Sequence, residues 1–139
     1  MRLTLISLAF STFALPALAA EFAPESGGHI EFRTPSNNIC CVYTEDRGYD
    51  ENLEPTGEPS LHCDRVAPKY WNVYLNANGK VKVNKHPGEV PGCGMLNVLD
   101  YGETWSEGPY TCKSRSDGLT CRVGGQGFKL NRKGIITYD

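Results

Sequence analysis

The cysteines are the residues of this sequence whose chemistry is most readily interpreted, and two of them, Cys40 and Cys41, are adjacent. Neighbouring side chains on a strand point to opposite faces of the sheet, so this pair can hardly bond to itself without strain. Cys40 and Cys41 are therefore predicted to enter two different bridges. The chain holds six cysteines, an even number that in an exported protein is typical of a disulfide framework.

Metal binding is the other common use of clustered cysteines. No C-x-x-C spacing occurs, and His29, His62 and His86 stand apart from one another, so a zinc site is not expected. The acidic stretch from Glu45 to Glu58 is rich in carboxylates but lacks the ligand alternation and central glycine of a calcium loop. The sequence therefore predicts no metal and no cofactor.

A catalytic nucleophile would require a serine or cysteine close to a histidine and a third, orienting group. No G-x-S-x-G motif occurs, and every cysteine has a candidate bridge partner. Asp100 and Glu103 could form a carboxylate pair of the glycosidase type, but an aspartate that caps a β-turn is the more common use of this pattern. We expect no catalytic residue.

Aromatic side chains could provide a surface for binding a sugar or a peptide. In a small β domain most aromatic residues belong to the core, but Trp105 is set between Thr104 and Ser106 and is followed by residues 107–109, Glu-Gly-Pro. This context predicts a loop. Trp105, together with Tyr101, is therefore the aromatic candidate for a binding site.

The C-terminal part of the chain is basic, whereas the whole chain has a formal net charge of −2. Residues 111–139 carry six basic side chains and two acidic ones. Such a segment could steer an anionic partner, and it adds Arg122, Lys129 and Arg132 to the candidate binding residues. A solvated face of edge strands is the simpler interpretation, and nucleic-acid binding is not expected of an exported acidic protein.

The N-terminus predicts export. Arg2 is followed by an apolar run from Leu3 to Leu15 and by the small-x-small triplet at residues 17–19, which is the pattern of a signal peptide. The run is interrupted at Pro16 and is shorter than the roughly 20 residues that span a bilayer. We expect residues 1–19 to be cleaved and residues 20–139 to form a single β domain in the periplasm or outside the cell, with no membrane span.

The elements that must position these residues are predicted to be strands. Apolar residues alternate in short runs that are divided by glycine, proline and asparagine about every ten residues, without helical periodicity. The pattern predicts an all-β fold, a small disulfide-stapled antiparallel sandwich or barrel. The candidate strands are HIEFR, NICCVY, SLHCD, YWNVYL, KVKVN, NVLDY, PYTCKS, LTCRV, GFKLN and GIITY.

The stretch WNVYLNANGKVKVN can be given a register. A three-residue loop with Gly79 in the left-handed conformation pairs Leu75 with Val81 and Val73 with Val83, which collects the apolar residues on one face. A two-residue turn would instead set apolar residues opposite charged ones. We predict the three-residue loop, with Trp71 on the same buried face.

A second hairpin, PYTCKSRSDGLTCRV, predicts a disulfide. A four-residue loop from Arg115 to Gly118 sets Cys112 directly opposite Cys121, at a separation suited to a cross-strand bridge. This pair is the one connectivity that the local pattern supports by itself.

The other four cysteines leave alternatives open. Cys41 and Cys63 would close the acidic loop, and closing a loop of about 20 residues is worth roughly 3 kcal/mol on the chain-entropy model. Cys40 and Cys93 are then left to pair.

Several motifs in order, FRTPSNNICCVY, LHCDR, VLDYGETWSEGPYTCKS and GLTCRVGGQGFKLNR, resemble the bacterial domain of unknown function family 6636 over nearly the whole mature chain. The residues that match its pattern are Phe32, Arg33, Pro35, Ser36, Asn38, Ile39, Cys41, Tyr43, Leu99, Tyr101, Gly102, Trp105, Cys112, Gly118, Cys121, Gly127, Phe128, Leu130 and Arg132.

The chain departs from that pattern at three positions. Asn37 stands where the family has glycine, Gln126 stands where it often has histidine, and Cys40 adds a cysteine. The family's cysteine before the tryptophan-containing strand is missing near Pro68 to Trp71, so the resemblance implies that the bridge to Cys93 has moved to Cys40.

The resemblance implies an exported, cysteine-rich domain and no activity. The function that the sequence favours is binding, with an envelope glycan or a protein as partner. A secreted hydrolase with an unrecognised active site is the alternative.

Overall fold

The computed structural model describes residues 18–50, 52, 54–89, 93–94 and 97–139. The predicted signal peptide, residues 1–19, lies outside the described residues except for its last two, and its cleavage stays a prediction. In the described part of the chain, no helix is long and apolar enough to cross a membrane.

The described residues form strands joined by turns and loops, in two sheets. The strands are β1 (Leu18–Ala20), β2 (His29–Arg33), β3 (Ile39–Thr44), β4 (Ser60–Arg65), β5 (Trp71–Asn76), β6 (Val81–Asn84), β7 (Glu103–Glu107), β8 (Tyr110–Arg115), β9 (Gly118–Val123), β10 (Gln126–Asn131) and β11 (Gly134–Tyr138). The five-stranded sheet has the order β2-β3-β4-β5-β6, and the six-stranded sheet has the order β1-β7-β8-β9-β10-β11.

The two sheets pack face to face and form a sandwich. All pairs of neighbouring strands are antiparallel except β1 and β7, which are parallel. The all-β prediction is confirmed, and the sandwich is the correct one of its two alternatives. The buried side chains between the sheets include Phe32, Tyr43, Leu61, Val73 and Leu75 from one sheet and Trp105, Tyr110, Leu119, Phe128 and Leu130 from the other.

One predicted strand is wrong. Within NVLDY, residues 97–101, only Val98 makes an isolated parallel bridge, to Arg33, with hydrogen bonds from the Arg33 N–H to the Asn97 carbonyl and from the Leu99 N–H to the Arg33 carbonyl, both 2.9 Å. The strand lies later, at β7. Residues 97–99 serve instead as a connection that crosses between the sheets.

Both predicted hairpin registers are confirmed. Val73 pairs with Val83 and Leu75 with Val81, and Gly79 has a φ of 86°. In the second hairpin Cys112 pairs with Cys121.

The loop of the second hairpin is shorter than predicted. Arg115 and Gly118 form the last pair of the ladder, so only Ser116 and Asp117 connect β8 to β9. The register is unchanged, because the shorter connection leaves the same residues opposite each other.

The structure brings the six cysteines together in three bonded pairs: Cys40 with Cys93, Cys41 with Cys63, and Cys112 with Cys121. The corresponding Cα–Cα distances are 5.5, 4.1 and 4.1 Å. The Cys41 bridge lies in the core between the sheets. Cys40 is buried on the opposite face of β3, so the two adjacent cysteines serve separate bridges.

The turn between β2 and β3 explains the asparagines of the first motif. Asn38 donates from Nδ2 to the Ala67 carbonyl at 3.0 Å and accepts from the Ala67 N–H at 2.8 Å, which ties the turn to the end of β4. Asn37, where the family has glycine, has a φ of 59°. Glycine and asparagine are the residues that tolerate this left-handed conformation best.

Candidate functional site

The face of the five-stranded sheet that points away from the core carries two straight rows of side chains. One row crosses the sheet through Glu31, Val42, His62, Tyr74 and Lys82. The next row contains His29, Thr44, Ser60 and Asn76. Because alternate residues of a strand share a face, the pleat projects both rows outward together.

Except for Glu31 and His29 on β2, the residues of these rows form the floor of a groove of about 1000 Å³, which we call the outer groove. Arg47, Tyr49, Asp50 and Lys80 form its rim. The strand residues that line it are Val42, Thr44, Ser60, His62, Tyr74, Asn76, Lys82 and Asn84, whose side chains point outward, and Val81 and Val83, whose side chains face the core. A concave site with several convergent polar groups is the usual form of a ligand pocket.

The connection between β3 and β4 holds the rim in place. The Gly48 N–H donates to the Glu58 carbonyl at 2.7 Å, and the Thr56 N–H donates to the Gly48 carbonyl at 2.9 Å. Asp50 Oδ1 accepts from the N–H groups of Asn52 and Glu54. A side chain at position 48 would come within 2.6 Å of the Glu58 carbonyl oxygen, so this closure requires glycine.

Two rings on the floor of the outer groove stack on each other. The His62 and Tyr74 rings are nearly parallel, at 5°, with centroids 4.4 Å apart. Tyr74 remains 36% exposed, so part of its ring and its hydroxyl are accessible to a ligand. Desolvation and the nearby Asp64 carboxylate raise the pKa of Tyr74 above its ordinary value of 10.0, so its hydroxyl is a hydrogen-bond donor at neutral pH.

A buried carboxylate fixes the base of this stack. Asp64 Oδ1 accepts hydrogen bonds from Asn72 Nδ2 and from the Tyr70 hydroxyl, the latter at 3.1 Å, and lies 3.0 Å from His62 Nε2. The His62 contact is close enough for an ion pair but does not have hydrogen-bond geometry. Burial raises the pKa of Asp64, but its contacts with His62, Asn72 and Tyr70 outweigh this effect and lower the pKa overall.

The arrangement can bind but does not show a nucleophile. Among the described residues no serine or cysteine hydrogen-bonds to His62, and the Ser60 hydroxyl donates to the Arg47 carbonyl at 3.4 Å. The groove instead presents hydroxyl, amide and cationic groups around one tyrosine ring. These groups are able to form hydrogen bonds and ion pairs with a polar molecule.

Trp105 does not lie where the sequence predicted. It belongs to β7 rather than to a loop, and it is 1% exposed, with its ring centroid 4.9 Å from that of Phe32 and 5.9 Å from that of Tyr43. Its neighbour across the ladder, Cys112, also points inward. Trp105 is a core residue, and no surface role can be assigned to it.

The other four predicted binding residues are distributed over the six-stranded sheet and its turns, away from the outer groove. Tyr101 is 48% exposed in the turn before β7, and Arg132 is exposed in the turn after β10. Arg122 on β9 lies over the Tyr138 ring. Lys129 on β10 forms an ion pair with Asp117.

The sequence analysis missed the site residues of β4 and β5, although a signal was present. His62 and Asp64 are two residues apart on a strand, so they must share a face, and Tyr74 and Asn72 lie opposite them in the register. The sequence analysis treated each histidine as isolated, whereas two of them have carboxylates nearby. His62 has Asp64 as a neighbour, and His29 Nε2 lies 3.1 Å from Glu25 Oε2 and 3.8 Å from Glu31 Oε1.

The second histidine group has the residue types of a metal site. The ligand atoms of Glu25, His29 and Glu31 lie within 4.8 Å of one another. The ion-pair contacts among these three side chains account for the arrangement, so we assign no metal to it.

Of the comparisons with known proteins, the one with protein-family models gives a match. The model of the family of unknown function DUF6636 matches residues 7–138. No curated protein matches the chain, and no solved structure matches it.

Proposed function

Since the chain belongs to the family of unknown function DUF6636, we propose its function from the outer groove: a binding module that holds a saccharide segment of an envelope polymer. The observation that supports this proposal most directly is the pair of cross-strand rows whose side chains converge in the groove. An alternative role as a hydrolase has no nucleophile to support it among the described residues.

The shape and lining of the groove favour a saccharide. Its volume of about 1000 Å³ lies at the upper end of the range for small-ligand pockets, which is enough for a few sugar units. Thr44, Ser60, Asn76 and Asn84 line it, and their hydroxyls and amides can both donate and accept. A ligand that carries many hydroxyl groups would satisfy these side chains without leaving buried polar atoms unpaired.

Tyr74 supplies the aromatic contact. A tyrosine ring offers a large, rigid contact surface with a polar end, and the stacked His62 ring limits its freedom. The ordering of Tyr74 is thus already present before a ligand binds, which reduces the entropic cost of association.

The charges at the groove favour an acidic saccharide. Arg47, Lys80 and Lys82 contribute three cations, whereas Asp50 contributes one carboxylate. The guanidinium of Arg47 can bind a carboxylate with two parallel hydrogen bonds.

The disulfides support a compartment outside the cytoplasm. Disulfide bonds form and persist in oxidising compartments and are rare in the cytosol, and the structure contains three. An exported protein would meet saccharide polymers of the envelope directly.

The test is a titration of isotope-labelled protein by NMR with three hexasaccharides: cellohexaose, chitohexaose and hexagalacturonate. We expect hexagalacturonate to bind best and to shift the resonances of Tyr74, Asn76 and Lys82. Tyr74→Ala should weaken binding at least about tenfold, or about 1.4 kcal/mol, while Tyr74→Phe should retain most of it.

Tyr101→Ala is the matched control, because it removes an exposed tyrosine in a turn beside the other sheet. It should leave the affinity unchanged. Failure of all three saccharides to bind, or equal losses in the two alanine variants, would show that the outer groove is not a saccharide site.

A further inference from the structure

The six-stranded sheet also has an outward face, and its strand residues carry cations without carboxylates. On the described strands the outward charged side chains are Lys113 and Arg115 on β8, Arg122 on β9 and Lys129 on β10. We call this surface the basic face. It lies on the side of the sandwich opposite the outer groove.

The register arranges these cations across the strands. Lys113 pairs with Thr120, which pairs with Lys129, so the two lysines are separated by two strand spacings, or about 10 Å. Arg122 stands in the neighbouring row, between Thr111 and Gly127. The cations are therefore spread over three neighbouring strands and are not aligned along a single strand.

A glycine on β10 leaves space between the cations of the basic face. Gly127 is required here, because a Cβ at that position would lie 2.0 Å from the Cys121 carbonyl oxygen and 2.8 Å from the Arg122 Cα. Without a side chain at Gly127, Arg122 extends across β10 until its guanidinium lies 3.9 Å from the centre of the Tyr138 ring.

Arg122 is held in this position and remains able to bind. Its Nη1 donates to the Gly125 carbonyl at 3.1 Å, and a guanidinium has further N–H donors. The stacked Tyr138 ring covers one side of the group and leaves those donors at its edge.

Among the residues that the structure describes, one carboxylate contacts a cation of this face, and it lies at the margin. Asp117, in the turn between β8 and β9, is 2.6 Å from Lys129 Nζ, and its side chain is 63% exposed. Within the described residues the basic face therefore has four cations and one anion. Lys113 and Arg115 are exposed.

We propose that the basic face docks a linear acidic polysaccharide that lies across strands β8 to β10. Charge complementarity favours a chain with repeated carboxylate or sulfate groups, and cations spread over three neighbouring strands suit an extended polymer. The proposal is independent of the outer groove, because it depends on different residues of the other sheet.

Two other polyanions fit the basic face less well. Single-stranded nucleic acid is normally held by exposed aromatic rings on which bases stack, and the Tyr138 ring is covered by Arg122. An anionic membrane would be contacted through a cluster of apolar side chains, and on the described strands of this sheet the two exposed large aliphatic residues, Leu18 and Ile136, lie on opposite edge strands.

The test measures heparin binding by isothermal titration calorimetry at several salt concentrations between about 50 and 200 mM. For polyanions such as DNA, each lost cation contact reduces the salt slope by about 1. Lys113→Gln/Arg115→Gln should therefore reduce the slope by about 2 and weaken binding at least about tenfold at low salt. Both side chains are exposed, and thermal melting checks that the variant is folded.

Lys69→Gln/Lys85→Gln is the matched control, with the same change in net charge at exposed positions in the connections before β5 and after β6. It should reduce the affinity by less than about twofold, since neither lysine belongs to the outward face of strands β8 to β10. Equal losses in both double variants, or absence of heparin binding at low salt, would overturn the proposal. Tighter binding of oligothymidylate, or of phosphatidylglycerol vesicles, would also overturn it.

Discussion

His62 Nε2 lies 3.0 Å from Asp64 Oδ1 on the outward face of β4. The two residues are neighbours because alternate side chains of a strand share a face. Asp64 also accepts hydrogen bonds from Tyr70 and Asn72, so its ionised form is better stabilised in the folded protein than in the unfolded chain.

This relationship predicts how stability depends on pH. The pKa of Asp64 in the folded protein lies below its ordinary value of 3.8, so the stability that it contributes is complete above that value and is lost as the pH falls through the folded pKa. In thermal melts between about pH 2 and 6, Asp64→Asn should show a shallower acid loss than the natural protein.

Tyr70→Phe provides a graded comparison for the same prediction. It removes one donor to the Asp64 carboxylate, so the folded pKa should rise towards 3.8 and the acid loss should become smaller. Superimposable pH profiles for the natural protein and Asp64→Asn would contradict the stabilising role of the carboxylate.

Trp105→Ala should be among the most destabilising single substitutions. The side chain is fully buried against Phe32 and Tyr43, and truncating a buried tryptophan costs about 3–5 kcal/mol. Urea denaturation measures the loss. Tyr101→Ala, at an exposed turn, should change the free energy of unfolding by less than about 0.5 kcal/mol. If Trp105→Ala cost no more than Tyr101→Ala, the assignment of Trp105 to the core would be refuted.

The disulfides should differ in their contributions. Cys40 and Cys93 are 53 residues apart, whereas Cys41 and Cys63 are 22 apart, and the chain-entropy model gives about 4 and 3 kcal/mol respectively. Cys40→Ala/Cys93→Ala should therefore have the lower denaturant midpoint under oxidising conditions. Peptide mapping that links Cys40 to Cys63 would contradict the pairing itself.

Arg65 should not tolerate lysine. It is 1% exposed and donates from Nε and Nη2 to the Lys69 carbonyl and from Nη1 to the Asn131 carbonyl, at 3.0 to 3.2 Å, while its guanidinium lies 3.6 Å from the Trp71 ring centre. Lysine cannot form this fork.

We expect Arg65→Lys to cost about 2–4 kcal/mol in urea denaturation, because carbonyl groups lose buried partners. Arg132→Lys, at an exposed turn, should be neutral within about 0.5 kcal/mol. If Arg65→Lys left the free energy of unfolding unchanged, the hydrogen bond from Arg65 on β4 to the Asn131 carbonyl on β10 would be dispensable for stability.

The motif residues explain why family membership gives the fold and not the function. Asn38 ties a turn, Gly127 permits a close backbone approach, and Phe128 and Leu130 fill the core. The polar residues of the outer groove, such as Tyr74 and Asn76, lie outside the matched positions. The family pattern therefore identifies the sandwich fold and does not depend on what the groove binds.

Local rules were sufficient wherever partners are close in the chain. Alternation of apolar residues determined most of the strands, and collecting valines on one face determined the register of β5 and β6. The hairpin of β8 and β9 determined the Cys112–Cys121 pair for the same reason. In each case the competing registers would have placed charged groups towards the core, at a high desolvation cost.

Tertiary structure decided the features that depend on which face of a sheet is covered. A polar context made Trp105 resemble a loop residue, but the second sheet packs against its face of β7 and buries it. Tyr74, on the uncovered face of the other sheet, remains accessible at the floor of the outer groove. The sequence specifies two faces for every strand, and only the packing of one sheet on the other determines which of them meets water.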